Sequence, residues 1–236
     1  MDVSYEKALP PEQWWQVLVN VSPGDLCSVM RTSSYMNSVA SWPNLWAGMD
    51  VNMGRVRDNG LAELYAIDRF KKVRKITFMN RNLNSEQLES VFHDIPTSPL
   101  EDINLSYTNL SELQAELLAK AVSRLQTINL YGTHLKTKQC TQVLEVSLSS
   151  RSLVDVNLGD LNLSEVPSDL IARAVCRLQH VNLCYTKLTT EQCIQVLEAS
   201  LSSKSLVNVN LARVNLKRVP TNLLSRAVSR LQKVNL

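Results

Sequence analysis

The chain of 236 residues has only six glycines, five cysteines and three histidines, and each scarcity excludes something. Without a glycine-rich turn ahead of a helix there is no phosphate-cradling loop. The cysteines, at 27, 140, 176, 184 and 193, are odd in number and contain no Cys-x-x-Cys pair. They are expected to be reduced thiols in a cytosolic or nuclear protein. No apolar run approaches the roughly 18 residues of a membrane span. The N-terminus, MDVSYEKALPPEQ, has acidic residues and prolines where a secretory leader needs a basic flank and an apolar stretch. Net charge is +3 with no long basic run. The densest basic cluster, DRFKKVRK at 68–75, is expected to be a solvated helix face, and nucleic-acid binding would need a basic stripe with interleaved aromatics.

Catalytic constellations are missing as well. His93, His134 and His180 have no partner at ligand or triad spacing. Cys140 and Cys193 recur at the same place in two similar helical patterns, where a small buried side chain explains them better than a metal ligand. No enzyme, metal or cofactor is expected. The composition does change along the chain: all four tryptophans, Trp14, Trp15, Trp42 and Trp46, lie in the first 46 residues. The chain is therefore read as two parts.

What the second part has in abundance is the dipeptide Asn-Leu preceded by Ile or Val. It recurs at Asn104, Asn129, Asn157, Asn182, Asn210 and Asn235. Aligning these gives the frame L-x-x-(I/V)-N-L-x-x-x-x-L, starting at Leu100, Leu125, Leu153, Leu178, Leu206 and Leu231, in steps alternating between 25 and 28 residues. A degenerate frame, VRKITFMNRNL, occupies 73–83. Residues 100–152 and 153–205 match at 31 of 53 positions without a gap, so a two-repeat unit has been duplicated.

Each frame opens with the alternation of a short strand and continues into a helical pattern. Leu117, Leu118, Ala121, Val122 and Leu125 share one face, as do Cys140, Val143, Leu144 and Leu148. Ser111 with Gln114 and Thr189 with Gln192 have capping-box spacing, and Pro167 and Pro220 stand just before helical runs. A strand-turn-helix unit cannot bury its own apolar side, but stacked units share a sheet backed by helices.

This frame resembles the leucine-rich repeat, and the alternating lengths are similar to the ribonuclease-inhibitor type. The resemblance covers 73–236 and implies an α/β solenoid, a horseshoe with a parallel concave sheet and outer helices. One departure is the ninth frame position. Where the family has Asn or Cys, this chain has Arg81, Thr108, Thr133, Leu161, Thr186 and Val214. Threonine hydroxyls are expected to do part of that work in the turns.

The recurrent asparagine sits between two inward aliphatics, so Asn104, Asn129, Asn157, Asn182 and Asn210 are expected to face outward on the concave sheet. With strands about 4.8 Å apart, their amides are expected to form a structural ladder. Around them lie more variable positions, with Asp102, Asp155 and His180 in the third column and Tyr107, Tyr131, Tyr185 and Arg213 in the seventh and eighth. Two readings stand: drift on a solvated face, or a partner-binding surface with the tyrosines as anchors.

In the first part, Pro10 and Pro11 can start a helix carrying Trp14, Val17 and Leu18. Ser22-Pro23 can cap a second helix with Asp25 in its first turn, and a third covers 35–41. The segment resembles the F-box through Leu9-Pro10, Glu12, Val17-Leu18, Ser22-Pro23, Asp25-Leu26, Ala40-Ser41 and Leu45-Trp46. Met36 stands where the family usually has Trp, and Ser34 and Tyr35 replace the basic residues beside it.

Together the two resemblances imply an F-box/leucine-rich-repeat protein: a three-helix F-box-like domain over 1–54, a linker helix over 55–72 and repeats over 73–236. They imply a substrate-recognition adaptor of a Skp, cullin and F-box type ubiquitin ligase, working as one copy within a complex. Leu9, Pro10, Trp14, Val17, Leu18, Leu26, Leu45 and Trp46 would meet the Skp-type adaptor, and the repeats would hold a target protein. The alternative is a leucine-rich-repeat scaffold whose N-terminal helices only cap the first repeat. The sequence stops inside a strand pattern at LQKVNL, so further repeats and a polar cap are expected beyond it.

Overall fold

The computed structural model describes residues 9–46, 50–52, 72–80, 83–230 and 233–235. Eight strands of three residues form one parallel sheet in sequence order: β1 (Asp50–Asn52), β2 (Lys75–Thr77), β3 (Asp102–Asn104), β4 (Thr127–Asn129), β5 (Asp155–Asn157), β6 (His180–Asn182), β7 (Asn208–Asn210) and β8 (Lys233–Asn235). Parallel neighbours need a crossover. From β2 onward it is supplied by α5 (Ser85–Asp94), α6 (Ala115–Val122), α7 (Thr137–Ser149), α8 (Ser168–Arg177), α9 (Thr190–Ser202) and α10 (Thr221–Arg230). The longer helices, α7 and α9, belong to the 28-residue units. This is a leucine-rich-repeat solenoid behind an N-terminal helical domain.

Each strand is in register with the next, so that Ile103, Ile128, Val156, Val181 and Val209 form one inward row. The row and the helix faces bury a single apolar core running from Leu18 to Ala227. Helix caps follow the sequence in part. Thr189 and Gln192 form a capping box, Pro167 precedes α8 and Pro220 precedes α10. Ser111 does not cap: α6 starts at Ala115, and Ser111 lies in a turn where its backbone N–H donates to Asn109 Oδ1. On α7 the fully buried residue in the last turn is Ser147, with Leu148 only partly buried. Ser147 can take that place because its hydroxyl donates back to Leu144 O at 2.6 Å.

Among the described residues four short helices precede the sheet, one more than expected: α1 (Pro11–Leu18), α2 (Pro23–Val29), α3 (Ser34–Ala40) and α4 (Pro43–Trp46). Ser22 accepts from the Asp25 N–H at 3.2 Å, as its spacing required. Trp46 Nε1 donates to Ala40 O at 2.9 Å, satisfying the one polar atom of a buried ring. Met36 is also buried, filling the α3 position at which a larger ring was expected.

One boundary moves. The sheet begins at β1, inside the segment read as wholly helical, and pairs Asp50–Asn52 with Lys75–Thr77. The signal was present, because Asp50-Val51-Asn52 repeats Asp155-Val156-Asn157. Lys75, which the basic cluster at 68–75 put on a helix face and the degenerate frame at 73–83 put in a strand, opens β2 as the frame requires. Most of the expected linker helix, and Arg81, lie outside the described residues.

The turn after each strand corrects the asparagine ladder. Asn104 Oδ1 accepts from the Ser106 N–H, Asn129 from Tyr131, Asn157 from Gly159, Asn182 from Cys184 and Asn210 from Ala212, each at 3.0 Å. Among the described residues no amide-to-amide hydrogen bond joins successive asparagines. Each oxygen is used within its own repeat, two residues on, because an Asx turn needs no neighbour. The next residue is left-handed in every copy: Asn80, Tyr107, Gly132, Asp160, Tyr185 and Arg213 have φ of 57 to 63°. This backbone aims the N–H at the following repeat, as from Tyr107 N to Tyr131 O at 2.8 Å and from Tyr185 N to Ala212 O at 2.9 Å. The turn thereby extends the parallel ladder past the strands.

The ninth position works as its chemistry predicts. Thr133 and Thr186 donate their hydroxyls to Leu130 O and Leu183 O, and Thr108 reaches Phe78 O of the preceding repeat. At Val214 the backbone N–H donates to Leu211 O, and Leu161 O accepts from the Lys187 N–H. Two buried glutamines join the repeats further. Gln139 Nε2 donates to Leu110 O and Leu113 O, and Gln192 Nε2 to Leu163 O and Val166 O, at 2.6–2.8 Å.

Candidate partner-binding surfaces

Two surfaces present side chains that the fold does not consume. The first is the concave sheet. In its third column Asp102 lies opposite Thr127, Thr127 opposite Asp155, Asp155 opposite His180 and His180 opposite Asn208. Lys75 Nζ meets Asp102 Oδ2 at 2.9 Å. Asp155 is half-buried, and burial pushes its carboxyl above the usual range; His180 pulls it down and Asp102 pushes it further up. A depression of about 220 Å³ is lined by Asp155, His180, Asn157, Asn182, Asn208 and Asn210. These are donors and acceptors without a nucleophile-base pair, suited to binding a polar surface.

Along one rim of the sheet the left-handed turns raise the tyrosines. Tyr107 is 55% exposed and Tyr185 53%. Tyr107 and Tyr131 meet edge-to-face with ring centroids 5.2 Å apart. The Tyr131 hydroxyl is pushed up to about 12, mainly by desolvation and then by Tyr107. Both rings lie on glycines. A Cβ on Gly132 would stand 3.1 Å from Tyr107 Cδ1, and one on Gly159 would stand 2.5 Å from Tyr131 Cδ2. Arg213 occupies the next place in the row after Tyr185, and is exposed. The structure thus brings Tyr107 and Tyr131 together at one stretch of the rim, and Tyr185 and Arg213 at another.

The second surface is α1. Val17 is 53% exposed, Trp15 40% and Val19 38%. Pro10 is exposed and Leu9 half-buried, its carbonyl accepting from the Tyr35 hydroxyl at 3.2 Å. Trp14 is half-buried against the core. Leu18, Leu26, Leu45 and Trp46 are buried at 0–2% exposure and hold the helices to one another and to the core. Those four have no surface to offer a partner while the domain keeps this packing. Trp15 and Val19 were missed as surface residues. The i,i+4 rule could have found them, since Trp14 and Leu18 share the inward face and leave Trp15 and Val19 together on another.

Burial pushes the Cys140 thiol up to about 12 and the Cys193 thiol up to about 11. Among the described residues no group of three His, Cys, Asp or Glu side chains could hold a metal ion. Among them, too, no helix is long and apolar enough to cross a membrane.

Residues 7–52 match the F-box-like family model. Among curated proteins the chain is similar to NACHT, LRR and PYD domains-containing protein 13 of Homo sapiens, 28% identical over 146 residues, which are 57% of this chain and 14% of that protein. It is also similar to lysine-specific demethylase 2B of Mus musculus, 26% identical over 218 residues, which are 86% of this chain and 16% of that protein. The chain thus spans about a seventh of the length of each relative. An F-box-like match thus stands at the N-terminus, ahead of the leucine-rich-repeat solenoid.

Proposed function

We propose that this protein is a substrate-recognition adaptor of a Skp, cullin and F-box type ubiquitin ligase. On this reading α1 binds a Skp-type adaptor and the concave face with its tyrosine rim binds a target protein, in the cytoplasm or nucleus. The protein does no chemistry of its own and brings the target to an enzyme. The observation that carries the reading is the exposure of three apolar side chains, Trp15 and Val19 on one face of α1 and Val17 on another, within the stretch that matches the F-box-like model. Three large apolar side chains left exposed on one short helix are available to a partner.

The test is co-expression with a eukaryotic Skp adaptor, followed by size-exclusion chromatography of the wild type and of Trp15→Ala/Val17→Asp. Both substitutions fall on exposed side chains, so the fold should survive them, unlike changes at buried Leu18. Stoichiometric co-elution lost in the variant supports the reading. A wild type that stays alone, folded and soluble rejects it.

A second reading, an interaction scaffold without a ligase, draws on a different observation. Leu45 and Trp46 belong to the same core as the repeats, and β1 follows at once. The N-terminal helices therefore also serve the solenoid as a cap. In that case the chromatography would show no adaptor complex, while the concave face would still hold a protein.

A further inference from the structure

Each asparagine amide has two ends, and the turns after the strands use one of them. The oxygens of Asn104, Asn129, Asn157 and Asn182 accept from the N–H two residues on, and that of Asn104 also accepts from the Ser106 hydroxyl at 2.8 Å. Among the described residues no acceptor meets the Nδ2 group of any of the four. A further repeat would not supply one, because β3, β4, β5 and β6 each have a described strand on both sides. All four side chains are half-buried. With the oxygen held by its own turn, each amide offers the concave face donors only. The sheet therefore carries a row of N–H donors at strand spacing, already fixed before any partner arrives.

The row borders two depressions of the same make-up. One, of about 260 Å³, is centred on β3 and lined by Lys75, Asp102, Asn104 and Asn129 among others. The other, of about 220 Å³, is centred on β6 and includes Asp155, Asn157, His180 and Asn182. In each, a carboxylate stands two residues before an amide on the same face of the sheet. Asp102 has its ion pair with Lys75, while Asp155 meets no hydrogen-bond donor among the described residues. An acceptor beside fixed donors suits a group that donates and accepts at once. A carboxylate would face Asp102 or Asp155, and an ammonium would face the Nδ2 groups. A carboxamide satisfies both: its oxygen accepts from an asparagine N–H and its nitrogen donates to the aspartate.

We propose that the two depressions hold two carboxamide side chains, Asn or Gln, four residues apart on an extended segment of a target protein that crosses the strands. Three strand spacings, about 14 Å, separate β3 from β6. Side chains at i and i+4 of an extended chain share one side and lie about 13–14 Å apart. On a helix the pairs that return to one face, i,i+7 and i,i+11, lie about 10 and 16 Å apart, and neither fits. The proposal rests on the reading of the concave face as a target-binding surface and names the chemistry of the target.

The test uses the whole chain without any Skp adaptor, and fluorescence anisotropy with labelled Ser/Thr peptides. One carries two glutamines four residues apart, two others carry glutamates or lysines at the same places, and the last has its glutamines seven apart. The wild type should bind the first roughly tenfold more tightly than the rest. Asn104→Asp/Asn182→Asp keeps an oxygen for the Ser106 and Cys184 N–H groups and turns each donor into an acceptor. Asn104→Ser/Asn182→Ser keeps the turn through a hydroxyl, adds no charge and withdraws the amide donor. Both variants should keep the near-ultraviolet tyrosine signal and lose the preference for glutamine. A wild type that binds all four peptides alike, or none up to about 1 mM, overturns the proposal. Preference for glutamate, for lysine or for the wider spacing overturns it in favour of an acidic, a basic or a helical target, and a preference unchanged in both variants overturns it too. Failure here with an intact Skp complex removes only the carboxamide target; loss of the Skp complex with intact peptide binding removes only the ligase role.

Discussion

The ring of Tyr131 lies against Gly159 of the next repeat so closely that a Cβ there would come within 2.5 Å of Tyr131 Cδ2 and 3.1 Å of Cys184 O. No positive φ demands this glycine. Space demands it. Gly159→Ala should displace the Tyr131 ring, undo its edge-to-face contact with Tyr107 and cost about 1–3 kcal/mol as an overpacked site. Near-ultraviolet circular dichroism should report the lost tyrosine order, and urea unfolding the lost stability. An unchanged tyrosine signal would show that the rim accommodates a methyl group.

Gln192 is buried and ties α9 to the carbonyls of Leu163 and Val166. Gln192→Leu keeps the volume but takes from Val166 O the donor Gln192 supplies and leaves Leu163 O with only the Val166 N–H, and should cost roughly 1–2 kcal/mol. Gln192→Glu should be worse near neutral pH, where a carboxylate cannot donate, and should recover partly in acid. Denaturant melts of the two variants at two pH values check the order.

Burial, more than any neighbouring charge, raises the Asp155 carboxyl. A group with a raised folded value contributes stability below its unfolded value, and loses that contribution as pH rises through the folded one. Ionised Asp155 is therefore a burden at neutral pH, and His180 relieves it only in part. Asp155→Asn should melt higher than wild type at pH 7, with the gap closing as the pH is taken below the ordinary carboxylate range. A gap that widens in acid would mean that the ionised form is stabilised.

Cys140 and Cys193 are buried, with thiols pushed up to about 12 and about 11. In native protein at pH 8 iodoacetamide should leave both unmodified, and half-exposed Cys27 and Cys176 should react first. Peptide mass spectrometry after timed labelling distinguishes the sites. Early modification of Cys140 would mean that α7 opens locally.

Much of the fold was legible because repetition multiplies weak signals. One Asn-Leu means little, whereas six in alternating steps of 25 and 28 residues fix strand positions, inward rows and helix lengths. The first strand was missed because its single copy, Asp50-Val51-Asn52, stands beside the tryptophan-rich helices and lacks the following leucine. The asparagines were found but given the wrong partner: sequence spacing showed that they line up, and only the turn showed each oxygen bonded two residues on. Val17 is exposed and Leu18 buried, although both belonged to the same adaptor-binding set, because the packing of α1 against α3 decides which residues face solvent.

By itself, then, the sequence determined the parallel solenoid, its period and its inward aliphatic rows, since periodic burial is a property of one chain read along its length. Tertiary structure alone decided the left-handed residue in every turn, the glutamines that reach into the preceding repeat and the tyrosines seated on glycines. Each of these depends on what the neighbouring repeat places a few ångströms away, and residues twenty-five or more positions apart in the chain become neighbours only when the repeats stack.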